Sequence, residues 1–291
     1  MVKEKVLVVG LGEVGRPLFE LLRESGKFEV YGYDLDEGKM RDVGQFAALP
    51  DRFDVMHVCI PCRDKEEFVE IVAGYVERFK PKLVIINSTV APGTTMDVYR
   101  RVKGACLLVH SPVRGVHKSL EHMKWELRRW TKYVGGINEK SAEAAKRHLE
   151  KAGLKTKVLK SCFETELAKL FETTYRAWMI ACFQEMHRIS RHFGADFNDV
   201  VDFIEDTHRV RFDRPVMFPG VIGGHCLIPN TELLLKAYDS EFLRLILKSN
   251  ERRKKEVEDE HVRREIEKIR GRVVALERDI AMLTARCEGS F

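Results

Sequence analysis

Gly223-Gly224-His225-Cys226-Leu227-Ile228-Pro229 holds a single thiol in a glycine-flanked turn. Paired glycines let backbone and ligand approach the sulfur closely, so Cys226 reads as a nucleophile, the thiolate being its reactive form. Two further groups with chemical potential precede it. Gly10-Leu11-Gly12-Glu13-Val14-Gly15 follows an apolar run, and Lys169 sits within Glu166-Leu167-Ala168-Lys169-Leu170-Phe171. Spacing alone leaves Lys169 open between a proton donor or acceptor among apolar neighbours and an ordinary surface lysine.

The elements that must position these groups are legible from periodicity. Lys5 to Val9 reads as a strand, and Val14 to Ser25 as a helix through Val14, Leu18, Leu21 and Leu22. A second strand, Phe28 to Tyr33, delivers Asp34 at about 20 residues beyond the glycines, the offset of a carboxylate that hydrogen-bonds an adenosine ribose. Strand, glycine turn, helix and acid together predict a bound dinucleotide, the bare alternative being a tight turn. NAD is expected over NADP, because Lys39 and Arg41 lie too far along to make an obvious phosphate pocket.

Further strands are expected at Val55–Ile60, Leu83–Asn87 and Ala105–His110, with a helix from Asp64 to Phe79. That alternation predicts an α/β fold with an N-terminal Rossmann-type doubly wound parallel sheet. Its ligands belong beyond the carboxyl ends of the strands, where Ile60, Pro61, Ser88 and Thr89 fall. Thr89 either orients a water or substrate oxygen or caps the helix that begins near Thr94. Cys162 to His192 contains no glycine or proline and reads as one long buried helix, opening an all-helical part. The expected organisation is a cofactor domain over 1–158, a helical central and dimerisation domain over 159–240, and charged helices over 241–291.

Composition narrows the class. A net charge of +5 from 50 basic and 45 acidic residues, mostly interleaved, argues against nucleic acid and suits an acidic small molecule. The 33% of charged residues points to ion-pair networks. Seven scattered cysteines, an odd number, do not form a disulfide framework and imply a reducing compartment. Cys59 and Cys62 have redox or zinc spacing, but no second pair follows and Cys59 ends an apolar run, so both are read as structural and no metal is expected. With no signal-peptide core and no membrane-length apolar stretch, a cytoplasmic protein is expected.

Gly10–Gly15, Ser88–Thr95, Glu166–Leu170 and Pro219–Pro229, in that order, resemble the UDP-glucose/GDP-mannose 6-dehydrogenase family over roughly residues 1 to 240. The resemblance implies an NAD-dependent enzyme that oxidises the C6 alcohol of a nucleotide sugar to an acid in two hydride transfers, through an aldehyde and a cysteine thioester. It implies that Cys226 is the nucleophile, Lys169 the active-site lysine and Thr89 the water-positioning threonine, with Arg209 or Arg211 reaching a partner subunit's sugar site. Arg114, His117, Gly223 and Gly224 fall in the substrate-binding segments. The chain departs from the family pattern at Asn230, where an aspartate is usual, at Thr173, where a substrate-binding asparagine is usual, and in Ser111–His117, which lacks a glutamate. Glu232 or His117 is then a candidate replacement proton acceptor. The family also continues into a second Rossmann-like domain, which this sequence is expected to lack.

The final segment carries Val262, Ile266, Ile269, Val273, Leu276, Ile280 and Leu283 at alternating steps of four and three. With Ile266, Val273 and Ile280 at a and Ile269, Leu276 and Leu283 at d, this is the pattern of a parallel coiled-coil dimer. Glu258 with Arg263, Glu265 with Arg270 and Arg272 with Glu277 would then pair between chains, and Gly271 would face outward. The alternative is a helix packed along its own subunit. A homodimer is expected, with a sugar or nucleotide-sugar substrate and neither nucleic acid nor membrane as partner. Two competing functions stand beside the two-step dehydrogenase: a catalytically impaired NAD-binding dimeric module, and a single-step hydroxyacid or sugar dehydrogenase that uses Lys169 and leaves Cys226 idle.

Overall fold

The computed structural model describes residues 3–44, 48–224 and 226–288, apart from the side chains of Glu277 and 280–288, so the expectations for His225, Glu277, Ile280 and Leu283 fall outside the described residues. The chain divides into two compact units, Met1–Phe171 and Glu172–Phe291.

In the first unit the elements run β1 (Glu4–Val9), α1 (Gly15–Glu24), β2 (Phe28–Tyr33), α2 (Glu37–Asp42), β3 (Val55–Val58), α3 (Lys65–Phe79), β4 (Leu83–Ile86), α4 (Thr94–Arg101) and β5 (Leu107–His110). They continue through α5 (Leu120–Arg129), β6 (Lys132–Gly136), α6 (Glu139–Lys151) and β7 (Thr156–Leu159) to the start of α7 (Cys162–His192). One sheet results, ordered β2-β1-β3-β4-β5-β6-β7. Alternate residues of its strands face two apolar layers. Val6 and Val8 pack with Leu18 and Leu22 of α1, Met123 of α5 and Leu149 of α6, while Leu7 and Val9 pack with Phe68 and Val72 of α3 and Val98 of α4. Helices on both faces bury every central strand, which is why these strands read as unbroken apolar runs.

The sheet is not wholly parallel, however, because β6 runs antiparallel to β5 and β7 then runs parallel to β6. Lys132-Tyr133-Val134-Gly135-Gly136 escaped recognition as a strand because it ends in glycines, which read as a turn. Packing requires them: a Cβ on Gly136 would lie 2.5 Å from Asn138 O, and one on Gly135 2.3 Å from Ser161 O. The reversal carries Lys132 past the carboxyl end of β5, among the loops that follow β4 and β5.

In the second unit the rest of α7 is followed by α8 (Phe197–Arg211), α9 (Leu227–Ala237), α10 (Glu241–Glu256) and α11 (Glu260–Glu288). The expected breaks at 158/159 and 240/241 are not where the units part; the division falls within α7, and the last two expected segments share one unit.

The expected coiled-coil seam is corrected. Ile269 and Leu276 of α11 are buried in their own unit with Phe183 of α7, Phe197 and Val201 of α8, and Val216. The charges follow the same course. Glu265 meets His187 at 3.1 Å and Arg191 at 3.2 Å, while Arg272 donates to Glu205 at 2.8 Å and to Asp202. Arg270 pairs with Glu267 on its own helix and lies over the Phe218 ring. A globular helix with a narrow apolar stripe produces the same alternation as a zipper, and burial here is intramolecular. Ile269→Ala should destabilise the chain by about 2–4 kcal/mol, read as a lower denaturant midpoint whose gap from the wild type stays the same as protein concentration is varied.

Candidate active site

The glycine turn after β1 is fixed by contact. Gly10 has φ +86°, and a Cβ on Gly15 would lie 1.7 Å from the Gly10 carbonyl oxygen, so α1 can start this close to the turn only with glycine at both places. Gly12 faces open space, whereas Leu11 is buried, Val14 half-buried and Glu13 exposed. Val14 precedes α1 with no side-chain cap, while Arg16 N already donates to Gly12 O at 3.1 Å and Pro17 has no amide proton, so an anionic ligand here would meet the backbone of the glycine turn rather than those two residues. A cavity of 420 Å³ lies over this turn, lined in part by Gly10, Gly12, Asp34, Lys39, Ile60 and Pro61. An open glycine loop, an uncapped helix and a carboxylate around one cleft fit a dinucleotide.

Asp34 does more than sequence suggested. Its carboxylate accepts from the Leu11 amide at 2.7 Å and from the Asp36 amide at 3.0 Å, so it braces the glycine turn as well as lining the cleft. Lys39 Nζ lies 3.7 Å from the same carboxylate. Lys39, expected to lie too far along to make an obvious phosphate pocket, lines the cleft as the partner of that carboxylate.

Beyond β4 and β5, buried hydrogen bonds tie the loops together. Ser88, expected to face the cofactor, turns its hydroxyl inward to the Ile60 carbonyl at 2.5 Å, so its role is to hold the loop that carries Thr89. Thr89 is half-buried and does not cap α4, whose N-cap is Gly93. The Glu166 carboxylate of α7 occupies that end instead, accepting from the Gly93 amide at 2.6 Å and the Thr95 amide at 2.9 Å. Burial pushes the Glu166 carboxyl up, and these bonds to the ionised form oppose the shift. His110 bridges Ser88 O at 3.0 Å and Thr165 Oγ1 at 2.9 Å, and burial drives its pKa down to about 3, so it is neutral. Lys169, half-buried on α7, is near enough to His110 to favour that neutral form further.

Arg114 lies over the rings of Trp130 at 4.9 Å and Tyr133 at 5.1 Å and donates to Thr131 O. His117 is exposed. The first unit thus contains Thr89, Lys169, Arg114, His117 and all the expected cofactor residues.

In the second unit Cys226 is exposed and immediately precedes α9, with no side chain capping that helix. Gly224, two residues earlier, has φ +82°, and Gly223 and Gly224 are both exposed. One turn into α9, Asn230 is buried and donates to Thr173 Oγ1 of α7 at 3.2 Å. Two of the positions that depart from the resembled family are therefore one contact, which no sequence spacing reveals. Arg209 is held by Glu205 at 2.8 Å and Asp279 at 3.1 Å, while Arg211 and Glu232 are exposed. A cavity of 410 Å³ beside the thiol turn is lined in part by Arg176, His208, Met217, Phe218, Gly223 and Leu227.

Sequence reading missed the ties made by Glu166, His110 and Lys132, as well as the backbone clamp on the thiol turn. Gln184 donates to Gly220 O at 2.7 Å, and Asn250 both accepts from Ile222 N at 2.7 Å and donates to Ile222 O at 3.2 Å. Buried polar residues inside apolar helical stripes were the available signal. Among the described residues there is no cluster of three or more histidine, cysteine or acidic side chains arranged to hold a metal. Nor is any described helix long and apolar enough to cross a membrane.

Residues 163–252 match the model of the UDP-glucose/GDP-mannose dehydrogenase family, central domain. A UDP-N-acetyl-D-mannosamine dehydrogenase from Methanocaldococcus jannaschii is 28% identical over 77% of this chain and 60% of its own length. One from Methanococcus vannielii is 28% identical over 86% of this chain and 65% of its own. The chain thus spans less than two thirds of the length of these curated relatives. Among solved structures, the UDP-D-ManNAc dehydrogenase of Pyrococcus horikoshii aligns with a TM-score of 0.69 at 23% identity, covering 85% of this chain and 68% of that one. A 3-hydroxyisobutyrate dehydrogenase from Mycobacterium tuberculosis aligns with a TM-score of 0.64 at 17% identity, covering 89% and 95% respectively.

Asp34→Ala should weaken NAD⁺ binding about tenfold and narrow the preference over NADP⁺, because Lys39 would lose its carboxylate partner. Titration with each dinucleotide measures both effects.

Proposed function

We propose that the chain, whose residues 163–252 match the model of the UDP-glucose/GDP-mannose dehydrogenase family, central domain, is an NAD-dependent dehydrogenase that oxidises the primary alcohol of a nucleotide sugar toward a carboxylate. The observation that carries this reading is the exposed Cys226 thiol, set at the end of a clamped glycine turn inside the family-matched segment. The relatives' names make a UDP-linked N-acetylhexosamine the first substrate to test.

NAD⁺, when bound, accepts one hydride in each of two oxidations. Lys169 takes up and relays the alcohol proton, and its ammonium stabilises negative charge developing on oxygen. Cys226 Sγ bonds to the carbonyl carbon of the resulting aldehyde, and loss of the second hydride leaves a thioester. Water then attacks the acyl carbon, positioned by Thr89, and the carbon–sulfur bond breaks to return the thiol and release the acid. Asn230 cannot take a proton as an aspartate would. Its bond to Thr173 suits it to positioning, which leaves Glu232 and His117 as candidate proton acceptors for hydrolysis.

The homodimer belongs to the same proposal, now on a different surface. Phe193, Phe203, Val210 and Phe212 of the second unit are between 63% and 80% exposed, large apolar side chains that a partner subunit would cover. A reducing cytoplasm suits a thiol nucleophile.

Product stoichiometry separates the candidate chemistries. Two NADH per substrate are expected for the wild type, and Cys226→Ser should lower the second oxidation by at least about 100-fold while affecting the first far less. A single NADH per substrate from the wild type would instead show that Cys226 is idle.

A further inference from the structure

Lys132 is 4% exposed and holds an ammonium inside the first unit. Its Nζ donates to Asn87 Oδ1 at 2.9 Å, to Ser111 O, and to Pro112 O at 3.3 Å. These three acceptors are neutral and belong to the two loops that follow β4 and β5. Asn87 immediately precedes Ser88 and Thr89, and Pro112 lies two residues before Arg114.

Behind Lys132 the hydrogen bonds continue in one direction. An ammonium only donates, so Asn87 must present its carbonyl to Lys132 and its amide nitrogen to His57 Nδ1, 3.2 Å away. His57 Nδ1 then accepts, which places the ring proton on Nε2, facing His148 Nε2 at 3.0 Å. His148 in turn carries its proton on Nδ1. That buried nitrogen makes no hydrogen bond within the described residues and faces the Glu4 carboxylate at 3.9 Å. His148, together with Lys151, which donates at 2.8 Å, holds the Glu4 carboxyl down to about 2. Burial keeps His57 well below the usual imidazole range, hence neutral, so Asn87 and His57 are uncharged dipoles aligned the same way between the ammonium and His148.

We propose that Lys132 is a positioning residue that locks the loops after β4 and β5 into their cofactor-binding geometry, and that its charge is sustained through Asn87, His57 and His148 by the surface carboxylate of Glu4. The cofactor part rests on the reading given above; the charge coupling does not. Burial, then the neighbouring charges of Lys169 and Arg114, bring the pKa of Lys132 down to about 7. Cys59 beside it supplies no countercharge, because burial raises its thiol to about 12. The groups facing the file are thus Cys59, His110, Arg114 and Lys169 around Lys132, and Glu4 and Lys151 beyond His148.

Because the folded-state pKa of Lys132 lies below its unfolded value, the unfolded chain binds more protons above neutrality. The contribution of Lys132 to stability therefore rises with pH from about 7 toward 10.5. The test uses the full chain without cofactor, with ¹³Cε-labelled lysines followed by NMR. One resonance, absent from Lys132→Met, should titrate near neutrality, and Glu4→Gln should lower its midpoint by roughly 0.5 pH unit, about threefold in proton affinity. NAD⁺ affinity by calorimetry should fall severalfold across that midpoint in the wild type and become flat with pH in Lys132→Met. A lysine used only for packing would lower stability without moving any pH profile. A Lys132 midpoint that Glu4→Gln leaves unchanged, or NAD⁺ binding equally pH-dependent without Lys132, overturns the proposal. Failure of NAD⁺ to bind at any pH would instead remove the dehydrogenase reading and leave the lysine titration standing.

Discussion

Loops at the carboxyl ends of parallel strands have no ladder of their own, so something must hold their backbone groups together where a ligand is to sit. Here the ties are buried side-chain hydrogen bonds. Ser88 reaches back to Ile60, His110 reaches across to Ser88, Lys132 joins Asn87 to Ser111, and Glu166 pins the start of α4. Each such group costs desolvation that only a well-aligned partner offsets, so the arrangement is stiff once formed and intolerant of partial loss.

The same principle governs the second unit. The thiol turn has almost no side chains of its own to pack, and its glycines would leave it free to wander. Asn250 and Gln184 take hold of its backbone at Ile222 and Gly220. Behind them, fully buried Arg253 donates to Gln184 O at 2.8 Å and contacts His187 at 3.1 Å. That polar clamp holds the backbone that leads into the segment carrying Cys226.

Two of the departures from the resembled family acquire a meaning only in three dimensions. Thr173 and Asn230 touch, so the change at one is read by the other, and an acid–amide pair of the family pattern is replaced by a hydroxyl–amide pair. The chemistry proposed for Cys226 therefore needs its hydrolytic proton acceptor from elsewhere.

From the sequence alone came the elements whose signal is local. The glycine turn, Asp34 at the end of β2, the apolar strands and the unbroken run of α7 follow from backbone sterics and burial periodicity, which neighbouring residues express directly. Short β6 stayed hidden because its glycines look like a turn until Ser161 and Asn138 are seen pressing on them. The stripe on α11 looked like a dimer seam because periodicity records that a face is buried, not by what. Only the tertiary structure brought His57, Asn87, Lys132 and His148 into one file, or laid α11 on Phe183 and Phe197. Partners in a buried polar contact are chosen by distance in space, and separation along the chain carries no trace of it.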